Sequence, residues 1–165
     1  MGKRTVREGR VLDVLLAAYQ ETVDGDVWVT SVMGALRGLF TAGRTATWFE
    51  YRSHHESDGL HLDATLHPQV LGDDCELATW TRARESLPPS MLTKLFGRTA
   101  VGTASVTGGA GAQTSTNPAW RKMWREPVVD SFGMVTCDTD GSGVCVSVGL
   151  DRLTALSARE KALLE

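Results

Sequence analysis

The sequence predicts an α+β domain: an antiparallel sheet with N- and C-terminal helices on one face and short helices and loops over the other. Three observations carry that prediction. Helical periodicity opens and closes the chain, in residues 6–22 and 157–165. Between them lie runs rich in β-branched and aromatic residues, paired across short turn signals as hairpins are, which makes the sheet antiparallel. The 165 residues, 42% hydrophobic, suit one domain with a core of its own, expected to span residues 1–165.

In the first helix Val11, Leu12, Leu15, Leu16 and Tyr19 recur at amphipathic spacing. Asp24, Gly25 and Asp26 form a turn with an N-cap candidate. A second helix follows through Val27, Val32, Leu36, Leu39 and Phe40, ending near Gly43, and is expected to pair antiparallel with the first. "RTATWFEYR" then changes the period. Alternation puts Thr45, Thr47, Phe49 and Tyr51 on one face of a strand and Ala46, Trp48 and Glu50 on the other, so both faces are covered and the strand is interior. "SHHESDG" is its turn and "LHLDATLH" its hairpin partner, with Leu60, Leu62, Ala64 and Leu66 inward.

Asp73 or Asp74 can cap a short helix carrying Leu77 and Trp80, and Pro88 and Pro89 start another through Met91, Leu92, Leu95 and Phe96. A strand over 99–106 runs into "TGGAGAQTSTN", a Gly-, Thr- and Ser-rich segment expected to be a mobile loop. It lacks the Gly-Lys-Ser/Thr ending of a P-loop and the glycine spacing of a dinucleotide site. Trp120, Met123 and Trp124 share one face of a further short helix. "GMVTCDTD" and "GVCVSVGL" form the last hairpin, with Val144, Val146, Val148 and Leu150 on one face and Cys145, Ser147 and Gly149 on the other. Ser157 and Glu160 compose a capping box that starts a final helix, after which no stop signal follows.

Net charge of -3, with no basic block beyond "GKR", argues against direct nucleic-acid binding by this segment. No apolar run approaches the roughly 20 residues needed to cross a bilayer and no signal-peptide pattern opens the chain, so a cytoplasmic location is expected. Cys75, Cys137 and Cys145 form no Cys-x-x-Cys pair, and reduced, buried thiols are expected. His61 and His67 stand six residues apart on one strand, about 20 Å, too far to share a metal, with His54 and His55 in the adjoining turn. No metal site is expected, although a single axial haem histidine stays open and the cofactor is unknown. No catalytic constellation emerges either, so the chain is expected not to be an enzyme.

This order of elements resembles a GAF domain, with a PAS-like sheet. The closing segment "WREPVVDSFGMVTCDTDGSGVCVSVGLDRLTALSAREKALLE" is similar to the sensor half of LuxR-type bacterial transcription regulators, whose last helix leads to a helix-turn-helix domain. The resemblance implies that the helix from Ser157 is an output connector, and that DNA is contacted only by an output domain outside this chain. Two further GAF activities fit less well. A bilin site needs Cys followed by His, and the methionine-sulfoxide reductase branch needs an arrangement of redox cysteines.

The expected function is a small-molecule-sensing regulatory domain. An apolar or aromatic ligand would sit between the sheet and the middle helices, lined by Trp48 or Phe49, whichever faces it, and by Trp80, Met91, Phe96, Trp120 and Trp124. Ligand binding would close that cover and alter the pairing of the Ser157 helix. The alternative is a ligand-free module in which the first and last helices form a homodimer interface, with Leu163 and Leu164 exposed.

Overall fold

Asp24 opens the first long helix by accepting hydrogen bonds on its carboxylate from the amides of Asp26 (2.9 Å) and Val27 (3.3 Å), and the sheet begins just beyond that helix. A computed structural model describes residues 6–20, 24–73, 75–103, 128–162 and 164. A 3-10 turn at Glu8–Arg10 precedes α1 (Val11–Ala18) and α2 (Gly25–Leu39). Strands β1 (Gly43–Glu56) and β2 (Gly59–Leu71) follow, then α3 (Leu77–Glu85), α4 (Pro89–Phe96), β3 (Ala100–Thr103), β4 (Asp130–Cys137), β5 (Ser142–Leu150) and α5 (Ala158–Ala162). The expected loop at 107–117 and the expected helix with Trp120 and Trp124 lie outside the described residues. No described helix is long and apolar enough to cross a membrane.

The five strands form one antiparallel sheet in the order β2-β1-β5-β4-β3, the α+β architecture the sequence predicts. β1 is interior, paired on both edges. The β1–β2 hairpin is longer than expected because "SHHE" continues the strand to a tight turn at Ser57 and Asp58. Gly59, at φ +138°, has no room for a Cβ, which would lie 2.8 Å from the Pro89 carbonyl oxygen; α4 is seated against this hairpin end. The Thr93 hydroxyl there accepts from the Leu60 amide at 2.8 Å.

The expected inward row of β2 is only half right. Leu60 and Leu62 pack on the Phe49 and Tyr51 side. An irregularity between Arg52 and Ser53 then shifts the register, so that Tyr51 faces Thr65, Arg52 faces Ala64 and Glu50 faces Leu66. One inserted residue reverses the parity of every residue beyond it, so Ala64 and Leu66 occupy the opposite face. A second irregularity, where His67 adopts φ 48°, restores Val70 to the first face.

Two cores result, one on each side of the sheet. The first holds Phe49, Tyr51, Trp80, Leu92, Phe96, Val135 and Cys145 under α3 and α4. The second holds Val32, Leu36, Leu39, Trp48, Phe132, Val146, Val148 and Leu150 with α2, and Leu156 and Leu164 pack against it. The helices α1 and α2 run antiparallel: the Arg7 amide donates to the Leu39 carbonyl at 2.8 Å, while Trp28 Nε1 donates to the Ala18 carbonyl at 3.2 Å.

Here α1 departs from expectation. Its longest apolar side chains do not face the core: Leu12, Leu15, Leu16 and Tyr19 are 61%, 49%, 62% and 85% exposed, and Val27 is also exposed. The inward side is Val11, Val14 and Ala17, small enough to let α1 lie close on α2. Periodicity gave the helix but not which of its stripes turns inward. Leu164 is likewise half-buried against the second core rather than exposed, and Leu163 lies outside the described residues.

The capping box forms as read from the sequence. Glu160 accepts from the Ser157 amide at 2.9 Å, and the Glu160 amide donates to the Ser157 hydroxyl at 3.2 Å. The second Glu160 oxygen accepts from the Val6 amide at 2.9 Å, and Arg159 pairs with Glu8 at 3.2 Å. Val6, Glu8 and α5 therefore meet on one side of the sheet. The segment leading into α5 is held to the sheet as well. Buried Asp130 accepts from the Ser131 amide at 2.9 Å and the Thr154 amide at 3.0 Å, and the Thr103 hydroxyl donates to the Thr154 carbonyl at 2.9 Å.

Candidate functional site

The sheet face under α3 and α4 gathers the aromatic residues singled out in the sequence. α3 starts at Leu77 after Glu76, not from an Asp73 cap (Asp74 lies outside the described residues), and presents Trp80, Ala83 and Arg84 inward. α4, with Pro89 in its first turn, buries Leu92 and Phe96 and leaves Met91 half-buried against the same cluster. Phe49 meets Trp80 edge-on at 5.0 Å and Phe96 at 5.8 Å, and Tyr51 meets Phe96 at 5.5 Å. Phe49, Trp80, Met91 and Phe96 thus come together.

Trp48 does not join them. The pleat turns it to the other face, where its ring meets Trp28 at 5.5 Å in the second core. It is removed from the candidate site for that reason. Trp120 and Trp124 lie outside the described residues.

The residue that sequence reasoning missed is Arg84. It is 1% exposed, and its guanidinium carbon lies 3.9 Å from the Phe49 ring centroid and 4.8 Å from that of Trp80. Nη2 donates to the Thr65 hydroxyl. The nearest carboxylate is Glu85, half-exposed, 3.8 Å from Nη2. Nε and Nη1 have no acceptor. Burial pulls the Arg84 pKa down to about 10, with Cys145 and Glu85 opposing, so the group is still a cation at neutral pH. Trp80 Nε1 and the Thr81 hydroxyl are also buried without partners, so four of the five orphaned polar atoms among the described residues belong to α3. The sequence signal was available. Trp80, Ala83, Arg84 and Leu87 fall at i, i+3, i+4 and i+7, which places a cation on the helix's buried stripe.

Tyr51 closes the far end of this face. Its hydroxyl donates to the Thr136 carbonyl at 2.7 Å and lies 3.2 Å from that of Phe96, and burial raises its pKa well above the ordinary phenol value. Gly143 makes room for it, since a Cβ there would sit 2.4 Å from Tyr51 Cζ and 2.2 Å from the Thr136 oxygen.

Cys75, Cys137 and Cys145 are thiols, not disulfides. Val135 faces Cys145 and Gly143 faces Cys137, so the two hairpin cysteines are not opposite one another. Burial pushes the Cys145 thiol up to about 12 although the Arg84 charge opposes it, and the thiol stays protonated at neutral pH.

The histidines of the β1–β2 hairpin form an exposed charged cluster instead. His54 lies between Glu56 (3.0 Å from Nε2) and Asp63 (2.5 Å from Nδ1), stacks on His61 at 5.5 Å, and has its pKa raised by those two carboxylates. Asp58, 2.8 Å from His61 Nε2, has its pKa lowered by that contact. The donor atoms of Glu56, Asp58 and His61 lie within 4.8 Å of one another, the one group among the described residues close enough to share a cation. His67, by contrast, is separate from it, at the second register irregularity.

No protein-family model and no curated protein matches the chain. Two solved structures of fRMsr of Staphylococcus aureus are similar to it, one in complex with substrate and one in the reduced form. Each is 13% identical and covers 99% of this chain and 92% of its own, with TM-scores of 0.45 and 0.46. At those values the likeness carries nothing about activity from those proteins to this chain.

Proposed function

We propose that the chain is a non-enzymatic, small-molecule-sensing regulatory domain of a transcription regulator of the LuxR type, located in the cytoplasm. Its ligand binds between α3 and the sheet. The observation that carries this reading is the set of orphaned donors on α3, at Trp80, Thr81 and Arg84. Buried donors without acceptors cost about 1–3 kcal/mol each, a cost that a ligand's acceptors relieve. The described aromatic rings touch one another, so binding involves a small shift of α3 from the sheet rather than entry into an open cavity. Such a shift is felt by β1 and β5, and through β4 and the Asp130–Thr154 contact by the segment that leads into α5. DNA contact belongs to an output domain outside this chain.

The test is native mass spectrometry of the purified chain for a co-purified small molecule, with thermal melting against a metabolite library. A saturable rise in melting temperature that moves Trp80 fluorescence supports the reading. Its absence across the library, together with a ligand-free mass, removes it.

One observation favours a second, compatible reading, a homodimer. The exposed row Leu12, Leu15, Leu16 and Tyr19 lies beside a groove of about 570 Å³ between α1 and α2 that Leu16, Ala17, Tyr19 and Ala35 line. The same row on a second copy is self-complementary across a two-fold axis. Sedimentation velocity decides it.

A further inference from the structure

We infer that Arg84 is the counter-charge for an acidic ligand, and that the site between α3 and the sheet takes a small aromatic or aliphatic molecule bearing one carboxylate. The inference rests on the sensing function proposed above and names the chemistry of its ligand.

Three features of the site select that chemistry. The first is charge. Arg84 is the one cation among the described residues of this buried cluster, and the protonated Cys145 thiol beside it adds no charge. Glu85 is half-exposed and reaches only the Nη2 side. A monoanion neutralises such a site. A phosphate dianion would leave an uncompensated negative charge among Phe49, Trp80 and Phe96, which is strongly unfavourable in an apolar setting.

The second feature is direction. Phe49 and Trp80 lie close over the guanidinium and restrict approach to its flat faces, so acceptors reach it best in its plane, at the edges. A carboxylate is a planar acceptor suited to such an approach, and a guanidinium bonds it more strongly and with more defined geometry than an ammonium does. Nη2 is already oriented by Thr65, while Nε and Nη1 await acceptors.

The third feature is where the arginine stands. Its position on α3 belongs to the buried stripe, between Trp80 and Leu87, where an apolar side chain would satisfy packing without orphaned donors. Replacing a buried, poorly satisfied ion by an apolar residue is often neutral or stabilising. Such a replacement removes the charge while keeping an apolar side chain in the stripe, so any loss of acid preference reads the charge itself.

The experiment uses the whole chain and matched acid and amide pairs: benzoate with benzamide, phenylacetate with phenylacetamide, and indole-3-acetate with indole-3-acetamide. Affinities are measured by calorimetry at constant ionic strength. At least one acid is expected to bind on the order of tenfold to a hundredfold more tightly than its amide, the range for a hydrogen-bonded charge. Arg84→Met is expected to bring that ratio to about one while leaving the ligand-free melting temperature unchanged or higher. Arg84→Lys is expected to keep part of the preference.

Equal binding of an acid and its amide overturns the acidic-ligand inference and leaves the sensing function standing. Failure of all six compounds to bind overturns the inference, while the library and mass measurements above decide the sensing function separately. An acid preference that persists in Arg84→Met overturns the inference, and Arg84→Gln, which keeps polar bulk without the charge, makes the same comparison if the Met variant does not fold.

Discussion

Asp130 offers the sharpest test of how the sheet holds the segment that precedes α5. The side chain is 1% exposed, and each of its oxygens accepts one backbone N–H, from Ser131 at 2.9 Å and from Thr154 at 3.0 Å. Asp130→Ala leaves both amides buried without an acceptor. At about 1–3 kcal/mol for each orphaned donor, the loss is about 2–6 kcal/mol, a large share of the stability of an ordinary domain. Asp130→Asn keeps one carbonyl oxygen and loses the charge, so its cost should be about half as large. Urea denaturation followed by tryptophan fluorescence gives the energies, and amide exchange at Thr154 gives the location. In Asp130→Ala that amide should exchange far faster while the β5 amides Val146 and Val148 stay protected. A cost below about 1 kcal/mol, or equal costs for Asn and Ala, would refute the reasoning.

Tyr51→Phe removes the hydroxyl that donates to Thr136 and should cost about 1 kcal/mol in thermal melting, while Gly143→Ala should cost more because its Cβ overlaps both Tyr51 and the Thr136 oxygen. Alkaline absorbance titration should show Tyr51 ionising only as the chain unfolds, since burial raises its pKa. His54 is more basic when folded than when unfolded, because Glu56 and Asp63 favour its charged form; its contribution is full below its unfolded value of 6.5 and is lost as pH rises through the folded value. An imidazole NMR titration should place the His54 midpoint above 6.5, and Glu56→Gln should lower it. Leu12→Glu with Leu16→Glu should abolish self-association in sedimentation velocity while changing monomer stability by no more than about 0.5 kcal/mol per site, as both side chains are exposed.

Local chemistry was legible where one residue decides one contact. A cap in the Asp24-Gly25-Asp26 turn, the Ser157–Glu160 box, the opposite faces of Trp48 and Phe49, and the Val146–Val148–Leu150 row were all readable because caps and pleats act within a few residues. What escaped depends on partners far along the chain. The inward stripe of α1 is chosen by how closely α2 lets it approach, and two irregularities in the β1–β2 pairing are set by long-range register. Arg84 escaped for a different reason. Arginine is expected at the surface, and Leu77 and Trp80 already mark an apolar stripe on α3 without it.

The Glu160 carboxylate has two ends and two tasks. One oxygen starts α5 through Ser157, and the other holds the amide of Val6, which itself bridges to Phe40 at the end of α2. A single side chain therefore serves as both starter and latch, so the α5 start cannot swing away without surrendering its grip on a segment 154 positions earlier. Disturbing Val6, by a charged neighbour or an added peptide, would be read out at Ser157 as fraying of the helix. Strengthening that grip would bias any relay toward its docked setting before a ligand arrives.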